Sequence, residues 1–192
     1  MSKKKEIILA ANGVIYSKGY QSTSIQDILD AAGIGKGQFY HYFSSKYDLG
    51  LAVVEDLIQE WEQKLILEIF QSQLDPITKL NKMLDRTLVF HTEREGKSGC
   101  PIGNLAIEMS EHDETFRLKL QYIFNQWIDS VERTLKELIE QEHLSSTIDP
   151  KKHAQSIVAT IEGGVLLMKN QKDISFLTNV LDLIRIQYHL SK

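Results

Sequence analysis

One stretch, Gly33-Ile34-Gly35-Lys36-Gly37-Gln38-Phe39-Tyr40-His41-Tyr42-Phe43, constrains this chain more than any other. The residues before it place Ile25, Ile28, Leu29 and Ala32 at helical spacing, and the pattern stops at Gly33, a residue suited to closing a helix. The order is helix, tight glycine turn, short second helix. That second helix, 36–42, is too small to bury a core alone. Phe39 and Phe43 are expected to anchor it inward. Its other side chains, Lys36, Gln38, Tyr40 and His41, donate hydrogen bonds of the kind that reach phosphates and base edges. A short polar helix on a glycine turn is a shape that the major groove of DNA admits.

The rest of the chain reads as helices with well-marked ends. Helix 1 spans about 4–18 and ends at Gly19. Helix 2 opens at a capping box in Thr23-Ser24-Ile25-Gln26. Ser44 or Ser45 caps helix 4, where Leu49, Val53, Leu57, Trp61, Leu65 and Ile69 repeat at i+4 to about Gln73. With no Gly/Ser/Pro linker, helix 4 is expected to be one stiff rod joining a small head to a larger body. Asp75-Pro76 and Asp149-Pro150 are N-caps followed by proline and open helices 5 and 8. A loop at 94–99 precedes helix 6, which starts at Pro101 and runs to about Ser110. Helix 7 starts near Asp113 and helix 9 at Asp173. The expectation is an all-α chain of nine helices: a helix-turn-helix domain over 1–47, then a sensing and dimerisation bundle over 48–192.

Composition narrows the function. The net charge of -4 argues against a chain that binds nucleic acid over its whole surface. Residues 1–50, however, hold six lysines against four acids, so a basic end precedes an acidic body. No run of about 18 apolar residues is present to span a membrane, and no secretory core follows the basic N-terminus. The single cysteine, Cys100, cannot form an intrachain disulfide and suits a reducing cytoplasm. The six histidines are scattered without metal-ligand spacing, and no phosphate-cradling glycine loop occurs, so neither metal nor cofactor is expected.

With Gly19-Tyr20, Thr23-Ser24, Ile28, Ala32-Gly33-Ile34, Lys36-Gly37, Phe39 to Phe43 and Ser45-Lys46 in view, the chain resembles the TetR family of bacterial one-component transcriptional regulators. Gly99 to Ala106 and Glu162 to Val165 resemble a subgroup that includes repressors of drug-efflux genes and of flavin-dependent ene-reductase genes. The sequence departs from the family at Gly35, usually Ser or Thr, and at Leu29, often Ala. The resemblance implies a homodimeric repressor that is released from a palindromic operator by a small molecule or by modification of Cys100.

On that reading Thr23, Ser24, Lys36 and Lys46 are phosphate contacts, Gln38 reads a base, and Gly37 lets the backbone approach the duplex. Tyr40 and His41 touch phosphates or bases, and Tyr42 does so or packs inward. Cys100, before Pro101, would lie at the positive end of helix 6, where a thiol acidifies, with Lys169 as a possible neighbour. The alternative is a buried inert thiol. Trp61, Phe90, His91, Asn104, Glu108, Phe124, Trp127 and Met168 are candidates for a ligand pocket, or are ordinary core. Gly163-Gly164 suits close helix packing, and helices 8 and 9 call for a partner copy. Two rival functions use the same residues: an enzyme with Cys100 as nucleophile and His91 or His112 as base, and a helical interaction module that binds no DNA.

Overall fold

The computed structural model describes residues 1–96 and 98–190; Lys97, in the expected loop 94–99, lies outside them. Among the described residues there are nine α-helices and no strand. They are α1 (Lys3–Lys18), α2 (Ile25–Ala32), α3 (Lys36–Tyr42), α4 (Lys46–Trp61), α5 (Pro76–Thr92), α6 (Pro101–Met109), α7 (Glu114–Glu140), α8 (Pro150–Gln171) and α9 (Ser175–Gln187).

Most helix ends follow local chemistry. Asp75 and Asp149 cap α5 and α8 through their carboxylates, each with proline as the first helical residue. Gly33 ends α2 in the left-handed region, at φ 60 and ψ 42, where a side chain would be strained. The start of α2 differs by one residue from the sequence expectation. The reciprocal box is formed by Ser24 and Asp27, not by Thr23 and Gln26. Both pairs have the required spacing, but aspartate brings two charged acceptor oxygens where glutamine brings one neutral one.

Helix 4 is not the uniform rod that its repeat predicts. Past Trp61 the chain continues as a π-helix over Glu62–Phe70, closed by an i→i+5 bond from Gln71 N–H to the Ile66 carbonyl at 2.8 Å. A strict repeat of four lies midway between the α winding of 3.6 residues per turn and the π winding of about 4.4, so it cannot tell them apart.

The chain divides into two compact units, 1–60 with 101–122 and 61–100 with 123–192, so it crosses between them after Glu60, Cys100 and Tyr122. The first unit is larger than the expected domain of residues 1–47, because most of α4, all of α6 and the start of α7 belong to it. Its buried residues include Ile7, Ala11 and Ile15 of α1, Ile28 and Leu29 of α2, Phe39 and Phe43 around α3, and Leu49 and Val53 of α4. Lys5 of α1 pairs with the buried carboxylate of Asp56 on α4. At Gly50 a Cβ would run into the Tyr20 ring, so the α4 backbone there must stay bare.

In the second unit one continuous core joins Leu80, Met83 and Leu84 of α5, Trp127, Val131 and Leu135 of α7, Ile157, Ile161 and Val165 of α8, and Leu177, Leu181 and Ile184 of α9. The buried guanidinium of Arg185 on α9 binds Asp85 and Asn81 of α5 at 2.7 and 3.3 Å, so burial and charge pairing fix the same helix contact. Gly164, at the α8–α9 packing surface, leaves room for Val180: a Cβ there would stand 3.2 Å from its methyl group. Gly163 faces open space instead.

Candidate nucleic-acid interface

The geometry of α3 follows from two phenylalanines four residues apart, Phe39 and Phe43. Phe39 and Phe43 are buried, while Lys36, Gly37, Gln38, Tyr40 and His41 are exposed. Tyr40 is 54% exposed and rests edge-on against Phe39, at 5.2 Å between centroids. Tyr42 is half-buried with its ring against His41, so it packs beside the polar face. Gly35 occupies the cap position with no side-chain bond, and no atom lies within 4 Å of the Cβ position of Gly37. The outcome is a two-turn helix held by two phenylalanines and displaying Lys, Gln, Tyr and His.

The loop before α2 is held from two sides. The Glu108 carboxylate on α6 accepts from the backbone N–H of Tyr20 at 2.8 Å and of Gln21 at 2.7 Å. The Lys46 ammonium, at the start of α4, donates to the carbonyls of Tyr20, Gln21 and Thr23 at 3.0, 3.2 and 2.8 Å. It also lies 4.7 Å from the Tyr20 ring centroid. One acid and one base thus take two amides and three carbonyls of a five-residue loop.

This arrangement revises three expected roles. Lys46 is not a free cation, since three carbonyls occupy its three N–H donors. Thr23 is 1% exposed and donates its hydroxyl to the Gly19 carbonyl at 2.6 Å, so it is part of the loop's interior. Glu108, a pocket candidate in the sequence, turns its carboxylate oxygens to the loop. Ser24 remains exposed, with its hydroxyl bound to Asp27, whose carboxyl is held well below the usual carboxylate range by Lys18 at 2.6 Å and by Ser24 itself. The sequence marks Glu108 only as a pocket candidate, and nothing local ties it to the loop, which it follows by some 87 residues.

Residues 7–53 match the model for bacterial regulatory proteins of the tetR family, and residues 76–184 match the tetracyclin repressor-like C-terminal domain. The chain is 37% identical over 188 residues to an uncharacterized HTH-type transcriptional regulator in the lacX 3' region of Lactococcus lactis subsp. lactis, covering 96% of this chain and 92% of that one. The chain belongs to the TetR family. It is a DNA-binding transcriptional regulator and not an enzyme. A further relative is the HTH-type transcriptional repressor DhaR of Mycobacterium sp., 25% identical over 88% of this chain and 84% of that one. The crystal structure of a regulatory protein TetR from Rhodobacter sphaeroides superposes with a TM-score of 0.84 at 27% identity, covering 96% of this chain and 95% of that one. No helix among the described residues is long and apolar enough to cross a membrane.

The ten candidate sensing residues of this TetR-family chain are divided between the two units. Asn104 and Glu108 lie in the first unit and the other eight in the second. Trp127 is core: its indole N–H donates to the Met83 sulfur at 3.1 Å, and Trp61 meets it edge-on. Phe124 packs on the same core and Met168 is fully buried. Phe90 is half-buried under the Arg94 guanidinium, 3.8 Å from its centroid, and Lys169 is exposed in the last turn of α8. Cys100 packs against the core, and its thiol donates to the carboxyl of Glu162 on α8. Burial pushes the Glu162 carboxyl up, and the thiol's hydrogen bond partly offsets this.

His91 is the other polar group in this unit. It is 4% exposed and bonds the Ser98 backbone, while its Nδ1 has no hydrogen-bond partner among the described residues. Burial lowers its pKa from 6.5 to about 4, so it is a neutral ring at pH 7.

Two outcomes follow from these contacts. Glu108→Ala is expected to expose the Tyr20 and Gln21 amides to hydrogen exchange and to lower stability toward urea by about 1–3 kcal/mol, the cost of leaving such donors without an acceptor. Stability is also expected to fall as pH drops through the His91 window, because the unfolded ring binds a proton that the folded ring refuses. The loss starts near pH 6.5, levels off below about 4 and reaches up to about 3 kcal/mol. Urea titrations at several pH values measure it, and His91→Gln is expected to flatten the profile in that window.

Proposed function

We propose that this TetR-family regulator is a repressor that acts from the cytoplasm as a homodimer. Residues 1–47 read a pseudo-palindromic operator, and residues 48–192 sense and dimerise. The observation that carries the reading is α3, whose aromatic anchors are buried while Lys36, Gln38, Tyr40 and His41 face outward. Gln38 reads a base, Lys36 and Ser24 contact phosphates, Tyr40, His41 and Tyr42 flank them, and Gly37 allows close approach. One such helix binds weakly. Two on a two-fold axis address half-sites separated by a multiple of about 34 Å. The relative named a repressor, DhaR, supports the sign of the regulation.

The second copy is expected to dock on α8 and α9. Leu166 and Leu167 of α8 and Leu183 and Ile186 of α9 are all exposed, at 47–70%, on helices whose opposite faces fill the core. Four apolar side chains on two adjacent helices are what an isologous four-helix interface buries.

Release comes from a small molecule bound in the second unit or from modification of Cys100. Cys100 is the last residue of that unit before the chain re-enters the first at Pro101. Eight residues further on, Glu108 holds the loop before α2. A change at Cys100 therefore falls at the root of the helix that braces the head. The inducer must favour the form that misfits the operator, since equal affinity for both forms shifts nothing.

Gel-shift titrations with an operator selected by the full-length protein from a randomised duplex pool test the assignment. Gln38→Ala is expected to lose about 1–3 kcal/mol of preference for that operator over random duplex. Lys36→Ala is expected to weaken both duplexes alike and to reduce the salt slope by about 0.9 per phosphate lost. Treatment with N-ethylmaleimide, which forms a thioether at Cys100, is expected to release the operator from the natural protein and leave Cys100→Ser bound. An alkylated protein that holds its operator unchanged removes Cys100 from the switch.

A further inference from the structure

Two lysines of the head have no acid or carbonyl on their ammonium among the described residues, and one of them stands outside the helix-turn-helix. Of the six lysines in residues 1–50, four are occupied. Lys3 pairs with Glu6 at 3.0 Å, Lys5 with Asp56, Lys18 with Asp27 at 2.6 Å, and Lys46 binds three carbonyls. Among the described residues, no acid or carbonyl engages the ammonium of Lys36 or Lys4. Lys36 opens α3. Lys4 is exposed in the first turn of α1, and its ammonium lies 5.3 Å from the ring centroid of Phe43, the residue that closes α3.

The two unneutralised lysines therefore bracket the recognition helix, one at each end. Seven residues of α-helix are about 10 Å long, and the major groove between its phosphate rims is about 12 Å wide. A helix of that length, set in the groove with a cation beyond each end, brings positive charge toward the backbones that border it. Lys3 and Lys5, adjacent in sequence, are already neutralised by Glu6 and Asp56 and add little to the field there.

We propose that Lys4 is a phosphate contact of the DNA-reading head, supplied by α1 and bound at the C-terminal end of α3. The proposal rests on α3 being the groove-facing helix. The contact is blind to sequence and releases condensed counterions as the ammonium meets a phosphate. It gives the head a second clamp on the duplex, in a place where Lys46 is engaged by the chain itself. The flat face of Phe43 and the negative end of α3 hold the ammonium in place until the phosphate arrives.

The test is the slope of log affinity against log salt, measured by fluorescence anisotropy with the full-length protein on the selected operator and on a random duplex. Each phosphate contact contributes about 0.9 to that slope. With two heads per dimer, Lys4→Ala is expected to lower it by about 1.8, so that the affinity deficit of the variant shrinks about tenfold as salt rises fourfold. The ratio of operator to random affinity is expected to stay unchanged, Lys4→Arg to restore the slope, and Lys3→Ala to leave it as in the natural protein. A Lys4→Ala protein with the natural slope overturns the proposal, even if its melting temperature falls, because a residue that only props α3 moves stability and not counterion release. Should Lys36→Ala also leave the slope untouched, the assignment of α3 to the groove fails; a reduced slope for Lys36→Ala alone sinks only Lys4.

Discussion

Everything the head presents to DNA depends on a five-residue loop between α1 and α2, and on the two charges that grip it. Gly19 to Thr23 closes only one backbone bond of its own, from the Thr23 N–H to the Tyr20 carbonyl, so most of its amides and carbonyls need other partners. Glu108 takes two of the amides and Lys46 takes three of the carbonyls. Each bond joins a full charge to a backbone dipole, a class about twice as strong as neutral pairs. The Tyr20 ring locks the same loop by packing on Phe116, 5.0 Å between centroids, and against the bare backbone of Gly50. The entry angle of α2, and through the Gly33 turn that of α3, is set by these contacts. A lysine and a glutamate that look like ligand-facing residues in the sequence are framework, and the lysines left over carry the free charge.

The head was legible in the sequence because its signals are local. A glycine at positive φ, a cap box and two phenylalanines four apart act over a few residues, and α3 spans the residues expected of it, 36–42. What stayed illegible acts over long separations or between near-equal patterns. Glu108 meets Tyr20 from 88 positions away, and Arg185 meets Asp85 from 100. Thr23 and Ser24 are both sound caps, and only the position of Asp27 decides between them. The i+4 stripe along helix 4 fits α and π winding equally, so the switch after Trp61 left no trace in the apolar spacing. The aromatic and methionine candidates, Trp127 and Met168 among them, have the composition of a pocket lining and of a helical core alike; the indole bond to Met83 places Trp127 in the core.

Charge in the head and charge in the second unit serve different ends. In the head, three acids and three backbone carbonyls occupy four of the lysines, and among the described residues Lys4 and Lys36 are left without such partners. In the second unit the polar groups are few, buried and nearly matched. Among the described residues Arg185 has three oxygen partners, whereas one nitrogen of His91 has none. A buried, half-satisfied ring is costly, so His91 is a weak point in an otherwise well-paired interior.

The thiol–carboxyl pair is built on the same economy of partners. Glu162 is buried deeply enough that its carboxyl is raised, and the Cys100 thiol is the donor that offsets part of that burial. Alkylation of the sulfur removes that hydrogen, and a carboxylate held away from water without a donor is disfavoured until it protonates or moves. Either response falls on α8, four residues before Leu166 on the face proposed for the partner copy. The alternative picture, a thiolate stabilised only by the helix that follows it, gives the modified sulfur nothing to push against. A thiol bonded to a buried acid does, because the change at sulfur leaves an unpaired group on a second helix, and a packed interior answers such a change by shifting between discrete arrangements rather than by yielding gradually.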